Sequence, residues 1–214
     1  VLIAIVFGDK LNTPNVEFGI NVGMNYSTLI NTSNSEMKLG LNIGPFFNIR
    51  ISDRFSFYPS VLPVLNVGTD NFPTYETGYT DLDDNLDLFD VTRKMSYISV
   101  PLLFKYRIFN QVYFEAGPQV SLLKKARDIF HSDDIGDGLT YENVITEELK
   151  QLDLGMASGL SYRLSKGEGL GIGVRYTIGF IDTLKNNDGK SQNNSIFSIN
   201  FSIPVKGKDI SAQN

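Results

Sequence analysis

The chain has 214 residues, 42% of them hydrophobic, with a formal charge of -5, a pI near 4.9 and no cysteine; this suits one large domain rather than two. The acidic balance and the lack of a basic cluster argue against nucleic acid as a partner, and the missing thiols exclude a disulfide framework and a thiolate metal site. No apolar run approaches the roughly 18 residues of a membrane helix, so any passage through a bilayer must be made by strands.

Val1 to Phe7 is apolar but lacks the basic start and small-residue cleavage site of a signal peptide, and reads as the start of a trimmed mature chain. Strict alternation begins at Val16. Val16, Phe18, Ile20, Val22, Met24 and Tyr26 share one face, and Glu17, Gly19, Asn21, Gly23, Asn25 and Ser27 the other. The second run sets Leu39, Leu41, Ile43, Phe47, Ile49 and Ile51 against Lys38, Gly40, Asn42, Gly44, Asn48 and Arg50. The third, Phe55 to Val67, alternates less cleanly, because Leu62 and Val64 fall on the side of Tyr58 and Ser60.

In the fourth run Ile98, Val100, Leu102, Phe104, Tyr106 and Ile108 oppose Ser99, Lys105 and Arg107; in the fifth, Val112, Phe114, Ala116, Val120 and Leu122 oppose Glu115, Gly117, Gln119 and Ser121. The sixth places Leu152, Leu154, Met156, Leu160, Tyr162 and Leu164 against Asp153, Gly155, Gly159, Ser161 and Arg163. Leu170 to Phe180 and Phe197 to Val205 complete the set. The pattern predicts an all-β, eight-stranded antiparallel up-and-down transmembrane β-barrel over residues 16–205. A mean hydropathy of -0.09 is compatible with this, since half of each strand faces a polar lumen.

Connections alternate in length. Ser52 to Arg54, Phe109 to Gln111 and Ser165 to Gly169 are short; Thr28 to Glu36, Gly68 to Lys94, Leu123 to Lys150 and Ile181 to Ser195 are long. Outer-membrane barrels have short periplasmic turns and long outer loops, which places both termini, residues 1–15 and the tail 206–214, in the periplasm. Centring the turns on Asp53, Asn110 and Gly167 pairs Ile51 with Phe55, Ile108 with Val112 and Leu164 with Leu170, apolar with apolar, and sets Lys105 opposite Glu115. The uncharged face with aromatic residues near strand ends suits lipid, and the Gly, Asn and Ser face suits a narrow lumen.

Phe7-Gly8-Asp9-Lys10-Leu11-Asn12 before the first strand, and Tyr97-Ile98-Ser99-Val100-Pro101-Leu102-Leu103-Phe104-Lys105-Tyr106, resemble the outer-membrane β-barrel (PorT-like) family of Bacteroidota. The resemblance spans essentially the whole chain and implies an OmpX-type barrel in the bacterial outer membrane. Most members have no assigned activity, and a few are tied to type IX secretion. The chain departs from the usual pattern in that Phe201 is followed by Ser202 to Asn214 rather than ending on an aromatic residue.

The inward charges are Glu17, Lys38, Arg50, Lys105, Arg107, Glu115, Asp153, Arg163 and Arg175. In a lumen only wide enough for side chains they have to be paired or hydrated, so a salt-bridged plug is expected, against the alternative of a small anion-favouring pore. Asp81, Asp83, Asn85 and Asp87 have the alternating carboxylates of a calcium loop, but Leu86 and Thr92 stand where the Gly and Glu should be; a solvated acidic loop is expected and no metal or other cofactor is assigned. His131, next to Ser132, Asp133 and Asp134, raises a lipid-modifying triad, yet neighbours in sequence rarely converge on one reacting atom. The strand glycines form no nucleotide fingerprint and suit a tight barrel.

The resulting expectation is a non-enzymatic outer-membrane protein. Its long loops would serve binding or adhesion, its surroundings would be outer-membrane lipid and lipopolysaccharide, and other outer-membrane proteins are candidate partners. An accessory subunit of a larger secretion or assembly machine is the alternative.

Overall fold

A computed structural model describes residues 11–133, 138–165, 169–186, 189 and 191–205. Residues 1–10, Asp134, Gly167 and the tail 206–214 lie outside the described residues. The strands are β1 (Val16–Ile30), β2 (Glu36–Arg50), β3 (Phe55–Pro59), β4 (Leu62–Phe72), β5 (Asp90–Phe109), β6 (Val112–Ser132), β7 (Leu139–Val144), β8 (Leu152–Arg163), β9 (Gly171–Gly179) and β10 (Asn193–Pro204). A one-turn helix, α1 (Thr80–Asp83), and 3-10 turns at Leu86–Leu88 and Thr146–Glu148 complete the list.

Eight walls close into a ring. β3 and β4 form one wall interrupted at Ser60 and Val61, both flank β2 and β5, and β1 pairs with β10 to seal the cylinder. Every pairing is antiparallel. Lys105 faces Glu115 and Arg107 faces Tyr113, but a shift beyond Arg107 pairs Val112 with Phe109 instead of Ile108. The turn residue Asn110, at φ 42°, absorbs that slip.

In the lower barrel, toward the short turns, the apolar face points out. Leu41, Phe104, Met156 and Val174 are exposed, whereas Asn21, Asn25, Ser99, Glu115 and Asn200 are buried inside. Such an inside-out cylinder is stable only with hydrocarbon around it.

The upper barrel reverses this polarity. β5 and β6 run for 20 and 21 residues, about twice what a bilayer-spanning strand requires. Along β5 the inward positions change from Ser99 to Tyr97, Met95 and Val91, and the outward ones from Ile98 to Ser96, Lys94 and Thr92. The strands on either side achieve the same change with one extra residue each, in β4 between Leu62 and Leu65 and in β6 at Lys124. Both bulges lie against Ser96 to Ser99 of β5. Pro63, without an N–H, sits in the first of them.

These bulges correct two expectations. Leu65 and Val67 point inward and are buried, because the β4 bulge flips the face that alternation assigned to lipid. The segments Gly68 to Lys94 and Leu123 to Lys150 are not loops throughout: β4 runs on to Phe72 and β5 begins at Asp90, while β6 runs on to Ser132 and β7 pairs on its outer half.

Candidate functional site

The lower lumen is filled by paired side chains. Arg175 donates through Nε and Nη2 to Glu115 at 2.9 and 2.7 Å, Lys105 Nζ lies 3.1 Å from the same carboxylate, and that ammonium also sits 3.5 Å from the ring centroid of Tyr58. Tyr58 donates to Asn21 at 2.8 Å and stacks on Phe46 with centroids 4.8 Å apart. Gly19 makes room for Phe46, since a Cβ there would meet its ring at 2.4 Å. Near the short turns Arg163 bonds both oxygens of Glu17 at 2.7 and 2.9 Å. Above the Glu115 cluster, Asn42 and Ser198 both donate to the side-chain Oδ1 of Asn25, and Ser99 meets Ser121 at 2.6 Å.

The remaining charges expected inside are elsewhere or alone. Asp153 accepts from Asn194 rather than from a cation. Arg107 is half-buried at the turn-side rim, and Arg50 is exposed there. Lys38 belongs to another site: an extra β2 residue between Met37 and Asn42 displaces it, and its Nζ reaches Asp70 at 2.8 Å, which also accepts from Thr92 on the outer face of β5.

The loop-side end is closed by an apolar cap. Leu29, Val67, Phe72, Val91, Met95 and Phe130 belong to one buried cluster, which Leu82, Phe89, Ile145 and Leu149 join from the connections. Inside it lies an ion pair that the alternation did not point to. Arg93 donates to Asp128 through Nε and Nη2 at 2.8 and 2.7 Å, both side chains almost fully buried, with the guanidinium 3.8 Å from the Phe72 ring centroid. Tyr75 donates to Asp128 at 2.7 Å and accepts from Asn143 at 3.1 Å, tying the β4–β5 connection to β7. Burial, and then the Asp128 charge, push the Tyr75 hydroxyl well above the ordinary phenol range, so it remains a donor.

The acidic segment is structural. Asp83 accepts from the Thr77 and Gly78 backbone N–H groups and from the Thr77 hydroxyl at 2.7, 2.9 and 3.0 Å, and these bonds, the Thr77 N–H first, lower its pKa. Leu82 docks into the cap while Asp87 and Asn85 are exposed; the side chain of Asp81 lies outside what the structure describes. Among the described residues, no group of three or more acidic or histidine side chains is placed to hold a metal. His131 is exposed, with Nδ1 2.9 Å from Thr140 Oγ1 and Nε2 3.1 Å from Asp133, whereas Ser132 is buried on the opposite face of β6. At the tip Tyr79 and Tyr141 meet edge to face at 5.3 Å beside a cavity of about 440 Å³, lined also by Thr80, Leu139 and Thr140.

The family model described as "Outer membrane protein beta-barrel domain" matches residues 11–185. The chain belongs to that outer-membrane β-barrel family. The address of this outer-membrane barrel is therefore the bacterial outer membrane. Among solved structures it is similar to Ail, the attachment invasion locus protein of Yersinia pestis crystallised with the heparin analogue sucrose octasulfate, at 11% identity and a TM-score of 0.48, over 89% of this chain and 99% of that one. It is also similar to Neisserial surface protein A, at 13% identity and a TM-score of 0.47, over 88% and 97% of the two chains. No curated protein matches it.

Proposed function

We propose that this barrel is a non-enzymatic anchor that holds a folded cap outside the cell for binding or adhesion, with the short turns and both termini in the periplasm. The cap carries this reading. It has a core of its own, and its tip presents Tyr79 and Leu139 with little cover, beside Tyr141, which packs partly buried against that core. Aromatic residues held on a rigid support are the usual anchors of a binding surface. The packed Glu115 and Arg163 clusters below and the apolar cap above support a lumen closed to ions. The opposite facing of His131 and Ser132 supports a role without hydrolytic chemistry.

The absence of cysteine makes the test clean. With Thr80→Cys or Asn110→Cys as single thiols, a membrane-impermeant maleimide should label residue 80 on intact cells and residue 110 only after permeabilisation. The reverse pattern would refute an external cap. The resemblance of Tyr97 to Tyr106 to PorT-like proteins of Bacteroidota supports a second reading, an accessory subunit of a larger outer-membrane machine such as type IX secretion. Copurification of the native protein in mild detergent tests it.

A further inference from the structure

On the outer wall, where the polarity of β4, β5 and β6 reverses, a groove of about 560 Å³ runs between β2 and β6. One side is greasy: Leu39 and Leu41 are among the more exposed apolar residues of the wall. The other is cationic, lined by Lys94 of β5 and by Lys125 and Arg127 of β6, and Lys38 adds a fourth cation from β2. Lys94 and Arg127 are direct cross-strand partners, with both side chains on the outward face. Like charges placed opposite each other destabilise a sheet.

The available carboxylates relieve this only in part. Asp70 is engaged by Lys38 at 2.8 Å, and Glu142 is shared between Lys125 at 3.4 Å and Arg127 at 3.0 Å. Among the described residues, Lys94 has no ion-pair partner. Partial burial, then the charges of Lys38 and Arg127, hold its pKa below the ordinary lysine value. Four cations face two carboxylates here, directly beside hydrocarbon-facing leucines, in a protein whose total charge is -5.

We propose that this groove is a binding site for a phosphorylated glycolipid of the surrounding leaflet, its phosphate held between Lys94 and Arg127 and an acyl chain laid along Leu39 and Leu41. A bare anion would leave the leucines unused, and an uncharged lipid would leave Lys94 without an ion-pair partner. A phosphate accepts charge-assisted bonds from ammonium and guanidinium together. In the groove lining Gly40 lets the backbones of β2 and β4 approach closely, since a Cβ there would meet the Asn66 backbone carbonyl oxygen at 2.0 Å. Which leaflet supplies the lipid rests on the external-cap reading; the chemistry of the groove does not.

The test is native mass spectrometry of the full chain in detergent micelles with diphosphoryl lipid A. One bound lipid is expected, with affinity falling about tenfold or more for Lys94→Gln/Arg127→Gln, roughly the loss of one charge-assisted bond. Removing the phosphates from the lipid should cost as much, while Arg54→Gln/Lys185→Gln, distant from the groove, should change nothing. Thermal unfolding adds a reversal of sign: Lys94→Gln should raise Tm without lipid A, by removing the repulsion, and abolish the rise in Tm that lipid A gives the wild type. Equal retention by both double variants, indifference to dephosphorylation, or groove-dependent binding of a soluble sulfated glycan in place of the lipid would overturn the proposal. Micelles have no sidedness, so failure here is distinct from failure of the thiol-labelling test.

Discussion

Glu115→Gln keeps the side-chain volume and removes the charge that bridges Lys105 and Arg175 inside the lower barrel. The two ion pairs, at 3.1 and 2.7 Å, lie among groups that are almost wholly buried. At an effective dielectric constant of about 20, pairs at such separations are each worth about 5–6 kcal/mol before desolvation. Most of this offsets the cost of burying three charges, so the net loss on removing the carboxylate is about 3–5 kcal/mol, dominated by two cations left without a partner. Urea unfolding of the refolded barrel in lysophospholipid micelles, followed by circular dichroism and heat-modifiable gel migration, measures it. Lys105→Met/Glu115→Gln/Arg175→Met should lose less than Glu115→Gln alone, because no orphaned charge remains. A single-variant loss under about 1 kcal/mol, or a triple variant worse than the single, would refute a lumen held by paired charges.

Val174→Arg puts a charge on the 43%-exposed outer face of β9, and should cost about 2–4 kcal/mol in bilayer-refolding titrations if that position lies near the midplane. Asp128→Ala strands buried Arg93 and releases Tyr75, so limited proteolysis should begin to cut within residues 72–89 while the lower barrel stays resistant. The Asp83 carboxyl is held below its ordinary value of 3.8, so its contribution is complete above that pH and is lost as the pH falls through the lower folded value. The protection of the Thr77 and Gly78 amides against hydrogen exchange, relative to their intrinsic rates, should therefore fall in that acid window, and Asp83→Asn should flatten the dependence.

The eight walls were readable because lipid outside and a packed polar lumen inside impose one strict rule on every residue of the lower strands. The same rule hid the cap. Above Tyr97 water replaces lipid, the inward and outward preferences exchange, and a single inserted residue in β4 and β6 shifts the phase, so Leu65, Val67 and the Arg93–Asp128 pair fell outside any continuous pattern. Lys38 was assigned inward by alternation, and only the β2 irregularity, which leaves no mark in the alternation itself, turns it toward Asp70. One local signal was available: Leu82, Leu86 and Phe89 stand at helical spacing among the acidic residues, and that stripe marks a turn docked on a core rather than a calcium loop.

The paired bulges beside β5 act as a waterline painted on the hull. Sliding the cylinder inward by one residue, about 3.3 Å along a strand, would draw Asn66, Ser96 and Lys125 into hydrocarbon, and sliding it outward would lift Ile98 and Leu122 into water. Either displacement is opposed, so the barrel fixes its own draught and obliges the lipid around it to thin or thicken to match. A partner docking on the cap therefore meets its surface at a set height above the leaflet.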